Sequence, residues 1–218
     1  MLEAGKDLFL FFSALFPIVD PLGGSPIFLS LTREYSSSTR KALSWQIAVN
    51  SFFLLVGSYF IGTHILSFFG ISIPVVQVGG GLIVISTGWA LLKQRAEDDP
   101  KQTKRHIHPE NPLIHAFYPL TLPLTVGPGS ISVAITLGAN APHHYGFNVP
   151  AILAAIAGSI LLAISIFLCY GFADRLASVL GATAMTVIMQ LTSFLLVCIG
   201  VQIFWNGAKV LLGSVLLH

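Results

Sequence analysis

F-P-I-V-D-P-L-G-G-S-P-I, residues 16–27, sets three prolines and two glycines inside a long apolar run. The same kind of phrase returns at residues 118–131 as Y-P-L-T-L-P-L-T-V-G-P-G-S-I. Pro17, Pro21 and Pro26 keep their spacing as Pro119, Pro123 and Pro128, shifted by 102 positions in a chain of 218. One interior proline costs a helix about 3 kcal/mol. Duplicated clusters half a chain apart therefore predict two matched interruptions of membrane helices. Such pairs point to the binding site of a secondary transporter.

The surroundings of the phrases agree. Hydrophobic residues make up 54% of the chain and charged residues 9%, with a mean hydropathy of +0.81. A soluble domain carries roughly 25% charged residues, so this chain is expected to be an all-α polytopic membrane protein. A net charge of +2 gives no electrostatic basis for a nucleic-acid partner. Cys169 and Cys198 lie in apolar runs and read as small buried hydrophobes, with no disulfide framework. The first apolar run has no small-residue cleavage site after it and reads as a retained span.

Six segments are long enough to cross a bilayer: 8–31, 43–69, 73–92, 113–138, 149–171 and 185–212. The charged stretch 93–112 separates three spans from three, just before the proline phrase restarts. The chain thus divides into a first three-helix repeat (1–92), a charged cytoplasmic linker (93–112) and a second three-helix repeat (113–218). Loops after spans one, three and five hold nine of the eleven basic residues, leaving Lys6 and Lys209 opposite. The positive-inside rule then puts both termini outside the cytoplasm. An odd number of spans per repeat makes the second copy enter upside down, an inverted repeat. Beyond the proline phrase, spans three and six share little but a tryptophan near each end, Trp89 and Trp205, which reads equally as an interfacial anchor.

Nineteen of the twenty charged residues lie in loops or near span ends; the exception is Asp20. A carboxylate at that depth costs a few kcal/mol and usually faces a cavity or a partner. Asp20 is a candidate to bind a cationic group or carry a coupling proton, against a role in satisfying backbone freed by Pro21 and Pro26. Gly23, Gly24 and Ser25 follow it. In the second phrase Pro123, Thr125, Gly127, Pro128, Gly129 and Ser130 supply free amides and hydroxyls. Helices are expected to restart at Pro26 and Pro128, each at the first helical position. A restarting helix has unpaired N–H groups and a positive dipole end, suited to a carboxylate. Donors at one corner and acceptors at the other match a zwitterion, so a small neutral amino acid fits best. Packing notches made by small residues are the competing reading.

Asn50, Gln77 and Gln202 are pathway candidates, Gln77 heading the Gly79-Gly80-Gly81 run where backbones can approach closely. His106, His108 and His115, and the pair His143 and His144, lack a companion ligand set, so no metal site is expected. No cofactor is expected beyond a coupling ion, H⁺ before Na⁺. Lipid is the surrounding partner, and a homo-oligomer is compatible with the small size.

On the phrases F-P-I-V-D-P-L-G-G-S-P-I and P-L-T-L-P-L-T-V-G-P-G-S-I the chain resembles the MarC family of bacterial and archaeal inner-membrane proteins. That family belongs to the LysE-type exporter superfamily, and the likeness extends over the whole chain. It implies a neutral amino acid transporter of the inner membrane, some archaeal relatives moving glycine and alanine with a proton-gradient dependence. The matched motifs carry Asp20, Pro21, Gly23, Gly24, Pro123, Gly127, Pro128, Gly129 and Ser130 over as site residues. Where the family often has asparagine before the first-motif proline, this chain has Asp20.

The expectation is an H⁺-coupled carrier that alternates access by rocking one repeat against the other. A metal or inorganic-ion transporter is the alternative, although it would call for several acidic residues in the spans. An intramembrane enzyme is disfavoured, because Asp174 lies at a span end and Ser130 has no marked histidine base. A purely structural membrane protein would have no use for duplicated helix breaks.

Overall fold

The computed structural model describes residues 2–93, 112–141 and 149–216. Most of the charged linker, and with it His106, His108, His143 and His144, lies outside the described residues. Those described form helices α1 (Leu2–Val19), α2 (Pro21–Leu31), α3 (Ser37–Phe68) and α4 (Ile73–Lys93) in the first half. The second half has a 3₁₀ turn (Pro112–Ala116), a π-helical segment (Phe117–Thr125), α5 (Pro128–Ala139), α6 (Val149–Gly171) and α7 (Ala173–Leu216). There is no strand among the described residues. Five stretches are long and apolar enough to span a membrane, and the bent pair Ile114–Thr125 and Pro128–Ala139 makes a sixth.

Local chemistry sets the ends. Ser36 caps α3 by accepting the Thr39 N–H at 3.2 Å, and Gly70, with φ 67°, turns the chain after it. At 32 residues α3 is about 48 Å long, more than a bilayer core needs, and its surplus is the polar S-S-T-R-K start. The last helix differs from expectation. Residues 173–180, expected to belong to the loop before span six, are helical, and Gly181 (φ 72°, ψ 167°) separates them from the span that follows. A left-handed residue breaks the helical path, and glycine adopts it without a Cβ penalty.

The helices pack mainly across the two halves. α4 lies along α7, α3 along α6, α1 against α6, and α5 against α3 and α4, while α2 meets α6 and α7. Exchanging the halves maps span one on span five onto span four on span two, and span one on span six onto span four on span three. No two spans of the first half pack extensively against each other among the described residues. The α4–α7 seam is the broadest. A Cβ at Gly81 would run into the Phe204 backbone, and one at Gly200 into the Ile85 amide. Small residues let membrane helices approach this closely. Gly80 is likewise tight against Ser132, whereas Gly79 meets nothing.

Two buried clusters flank the middle of the bundle. One joins Val19, Phe28, Leu43, Ile47, Leu120 and Tyr170, and the other Phe11, Leu15, Leu55, Val126 and Leu162. Phe28 and Tyr170 stack at 4.8 Å between ring centroids. At one end Arg40 donates to the Thr32 and Tyr35 carbonyls and pairs with Asp174 at 2.6 Å, tying the α2–α3 turn to the start of α7.

Candidate functional site

The first proline phrase makes a break one residue wide. Asp20 is the only non-glycine residue with positive φ among the described residues (φ 44°, ψ 62°), a conformation that aspartate tolerates better than most. It is the N-cap of α2, its Oδ1 accepting the Gly23 N–H at 3.0 Å. The hydrogen-bond ladder runs past it on both sides. Asp20 N–H donates to the Phe16 carbonyl and Gly24 N–H to the Asp20 carbonyl, each at 2.9 Å. Residues Gly5–Leu31 consequently remain a single 27-residue span. A Cβ at Gly23 would strike the Asp20 carboxylate, so the cap needs glycine at that position.

The helix restarts at Pro21, not at Pro26 as the sequence suggested. Pro21 takes the first helical position, where its missing N–H matters least. Pro26 sits inside α2, and the Leu22 carbonyl it cannot bond accepts the Ser25 hydroxyl at 2.9 Å instead. A serine one residue before the proline thus carries the helix through it.

The second phrase makes a wide break. Tyr118 (φ −126°, ψ 125°) and Leu122 (φ −109°, ψ 123°) leave helical geometry, and α5 departs at 71° from the incoming segment. Thr121 and Thr125 donate to the carbonyls five residues back, Ala116 at 2.6 Å and Leu120 at 2.8 Å. Pro128 starts α5 as expected, after Gly127 in extended conformation (φ −86°, ψ 175°). Gly127 has no side chain to cap the new helix, so its first amides have no such partner. Ser130 lies in that first turn, its hydroxyl on the Gly127 carbonyl at 2.9 Å.

Both breaks open on one cavity of about 380 Å³. Asp20, Gly23 and Gly24 line it from the first span, and Pro123, Thr125, Gly127, Pro128, Gly129 and Ser130 from the fourth. Among the described residues Asp20 is the one charged residue on its wall. Of the residues expected at a site, Pro21 and Ser25 are buried but do not line the cavity. The three pathway candidates also stand away from it. Asn50 reaches Thr121 at 3.4 Å, Gln77 packs against Gly207, and the exposed Gln202 donates to Asn206 at 2.9 Å. Among the described residues no three metal-ligating side chains come together.

The rest of the wall is not marked in the sequence. Ile83, Val84 and Thr87 of α4 and Leu196 of α7 also line the cavity. Val84 lies where a Cβ on Gly129 would be. Behind the wall, Thr192 of α7 stands at the Asp20 carboxylate as a side-chain hydrogen-bond partner. Tyr170 of α6 lies against Gly24 and hydrogen-bonds Thr125 at 3.1 Å, touching both breaks from a third span. A threonine or valine within an apolar run reads like any lipid-facing residue, so only the packing of distant spans reveals these positions.

Residues 5–212 match the model of a family described as MarC family integral membrane protein. The chain is 32% identical over 214 residues to the inner membrane protein MarC of Salmonella typhimurium, covering 95% of this chain and 96% of that one. It is also 32% identical over 202 residues to the membrane protein YvbG of Bacillus subtilis, covering 91% and 92%. No solved structure matches it.

Proposed function

The chain belongs to the MarC family of integral membrane proteins, and from that premise we propose that it is a carrier, not an enzyme, for small neutral amino acids. It would work in the inner membrane, the place named for its Salmonella relative, with both termini outside the cytoplasm. Kinship with LysE-type exporters is part of the same proposal.

One observation carries the reading: the duplicated proline phrases, far apart in sequence, line a single cavity within the bundle. Cavities of 300–1,000 Å³ are typical of small-molecule sites. The walls divide the chemistry. Asp20 offers a carboxylate, and the uncapped start of α5 offers amides at a positive dipole end. A zwitterion needs both. Asp20 is the charged group available to exchange a proton with the passing substrate, which favours H⁺ as the coupling ion. Because the halves are interleaved, hinging at the second break suits the packing better than rocking one half on the other.

Counterflow in proteoliposomes tests the proposal. Vesicles are loaded with unlabelled alanine or glycine, and trace labelled amino acid is added outside. Transient accumulation is expected in the wild type and its loss in Gly129→Leu, whose side chain would collide with Val84 and be forced into the cavity wall. Folded wild-type protein that accumulates no small neutral amino acid would overturn the substrate assignment.

A further inference from the structure

Among the described residues, every side-chain hydroxyl on the cavity wall has its proton engaged by a backbone carbonyl. Thr125 donates to Leu120 at 2.8 Å, Ser130 to Gly127 at 2.9 Å, and Thr87 to Ile83 at 2.9 Å. A hydroxyl has one proton and two acceptor lone pairs, so what these groups have left for a ligand is acceptor capacity. Tyr170 reinforces the pattern. Its fully buried O–H meets Thr125 Oγ1, and because the Thr125 proton is directed to Leu120, the phenol is the donor in that bond. Asp20 adds a carboxylate with one oxygen on the Gly23 amide. Thr192, behind the wall, is a further hydrogen-bond partner of that carboxylate.

The cavity side chains therefore present lone pairs and no free protons. The remaining donors are main-chain amides at the start of α5. We propose that the primary recognition element of this cavity is a subsite for a primary ammonium, held between Asp20 and Thr125, and that Tyr170 positions the Thr125 hydroxyl for it. The ligand's carboxylate is a secondary handle. This rests on the cavity of the proposed carrier but goes beyond it: a small amine without a carboxylate occupies the site, and a carboxylic acid without an amine does not.

The experiment titrates the purified full chain in detergent with alanine, ethylamine and propionate, reading the apparent Kd from the rise in unfolding temperature. Ethylamine and alanine should bind within about tenfold of each other, and propionate at least about a hundredfold more weakly, the ratio expected from losing a charge-assisted hydrogen-bonded pair. Thr125→Val should weaken ethylamine about tenfold, one hydrogen bond's worth, with Thr125→Ser restoring it. Tyr170→Phe keeps the ring on Phe28 and should lower the preference for ethylamine over propionate. Propionate binding as well as ethylamine in the wild type overturns the ammonium subsite without needing any variant to fold. Alanine and propionate binding without ethylamine does the same while leaving the amino acid reading intact. Ethylamine binding without alanine supports the subsite and overturns the amino acid reading, and a wild type that responds to none of the three overturns both.

Discussion

The two proline phrases are near copies in sequence and unlike in geometry. The first yields a one-residue break in a span that otherwise runs straight through, capped by Asp20 and repaired at Pro26 by Ser25. The second yields a 71° bend with an uncapped helix start. The difference comes from the residues between the prolines, not from the prolines themselves. Aspartate tolerates the left-handed corner and caps its own helix, so the ladder resumes at once. The second copy has Leu122 at the corresponding place, 102 positions on, with no side chain able to cap. Its polarity comes from Thr121 and Thr125, which bond backward to Ala116 and Leu120. One corner is consequently rigid and acid-bearing, the other open and amide-bearing, and their convergence makes the cavity chemically two-sided.

Removing the acid from the rigid corner should have the largest effect. Asp20→Asn keeps a side chain that caps and tolerates the left-handed conformation. Counterflow should fall at least about tenfold, the loss of one charge-assisted contact, with little change in the unfolding temperature. Undiminished counterflow would make Asp20 a structural cap only. Next comes an attempt to make the open corner resemble the closed one. Gly127→Ser places a hydroxyl at an N-cap whose extended backbone suits serine, with only the Pro123 carbonyl nearby. Stability should rise by a few tenths of a kcal/mol while the KM for alanine increases, because the cap competes with the substrate for the same amides. A lower KM would argue against those amides binding ligand.

A third variant asks whether repair at Pro26 is what keeps the first break narrow. Ser25→Ala removes the buried hydroxyl that bonds the Leu22 carbonyl and should cost about 0.5–1.5 kcal/mol in thermal or denaturant unfolding. A neutral result would mean that the carbonyl finds another donor. The smallest effect is expected at the far end of α2. Arg40→Gln removes the ion pair with the half-exposed Asp174, worth about 0–1 kcal/mol. A larger loss would show that the carbonyls held by Arg40, not the charge pair, anchor the end of the first span.

Most of the fold is legible in the sequence because spans announce themselves by length and apolarity, and the six segments fall where helices form. The exception is the start of α7. Ala173 to Leu180 looks like loop by its charge, yet helix propensity carries it, with Gly181 as the turning point. At the site, the prolines and glycines mark the breaks and Asp20 marks the charge. The restart at Pro21 was hidden because a proline's effect depends on whether a neighbouring hydroxyl can take its carbonyl, as Ser25 does. Val84, Thr87, Tyr170 and Thr192 were invisible for a different reason: their roles come from neighbours more than 40 residues away.

The interleaving of the halves has a bearing on biogenesis. α4 finds its principal neighbour in α7, which leaves the ribosome after α5 and α6. Until then the glycine face of α4 must rest against lipid or against helper proteins of the insertion machinery. Truncation before α7 would leave a chain that inserts but cannot close, and a cell's membrane quality control would meet it as an orphan.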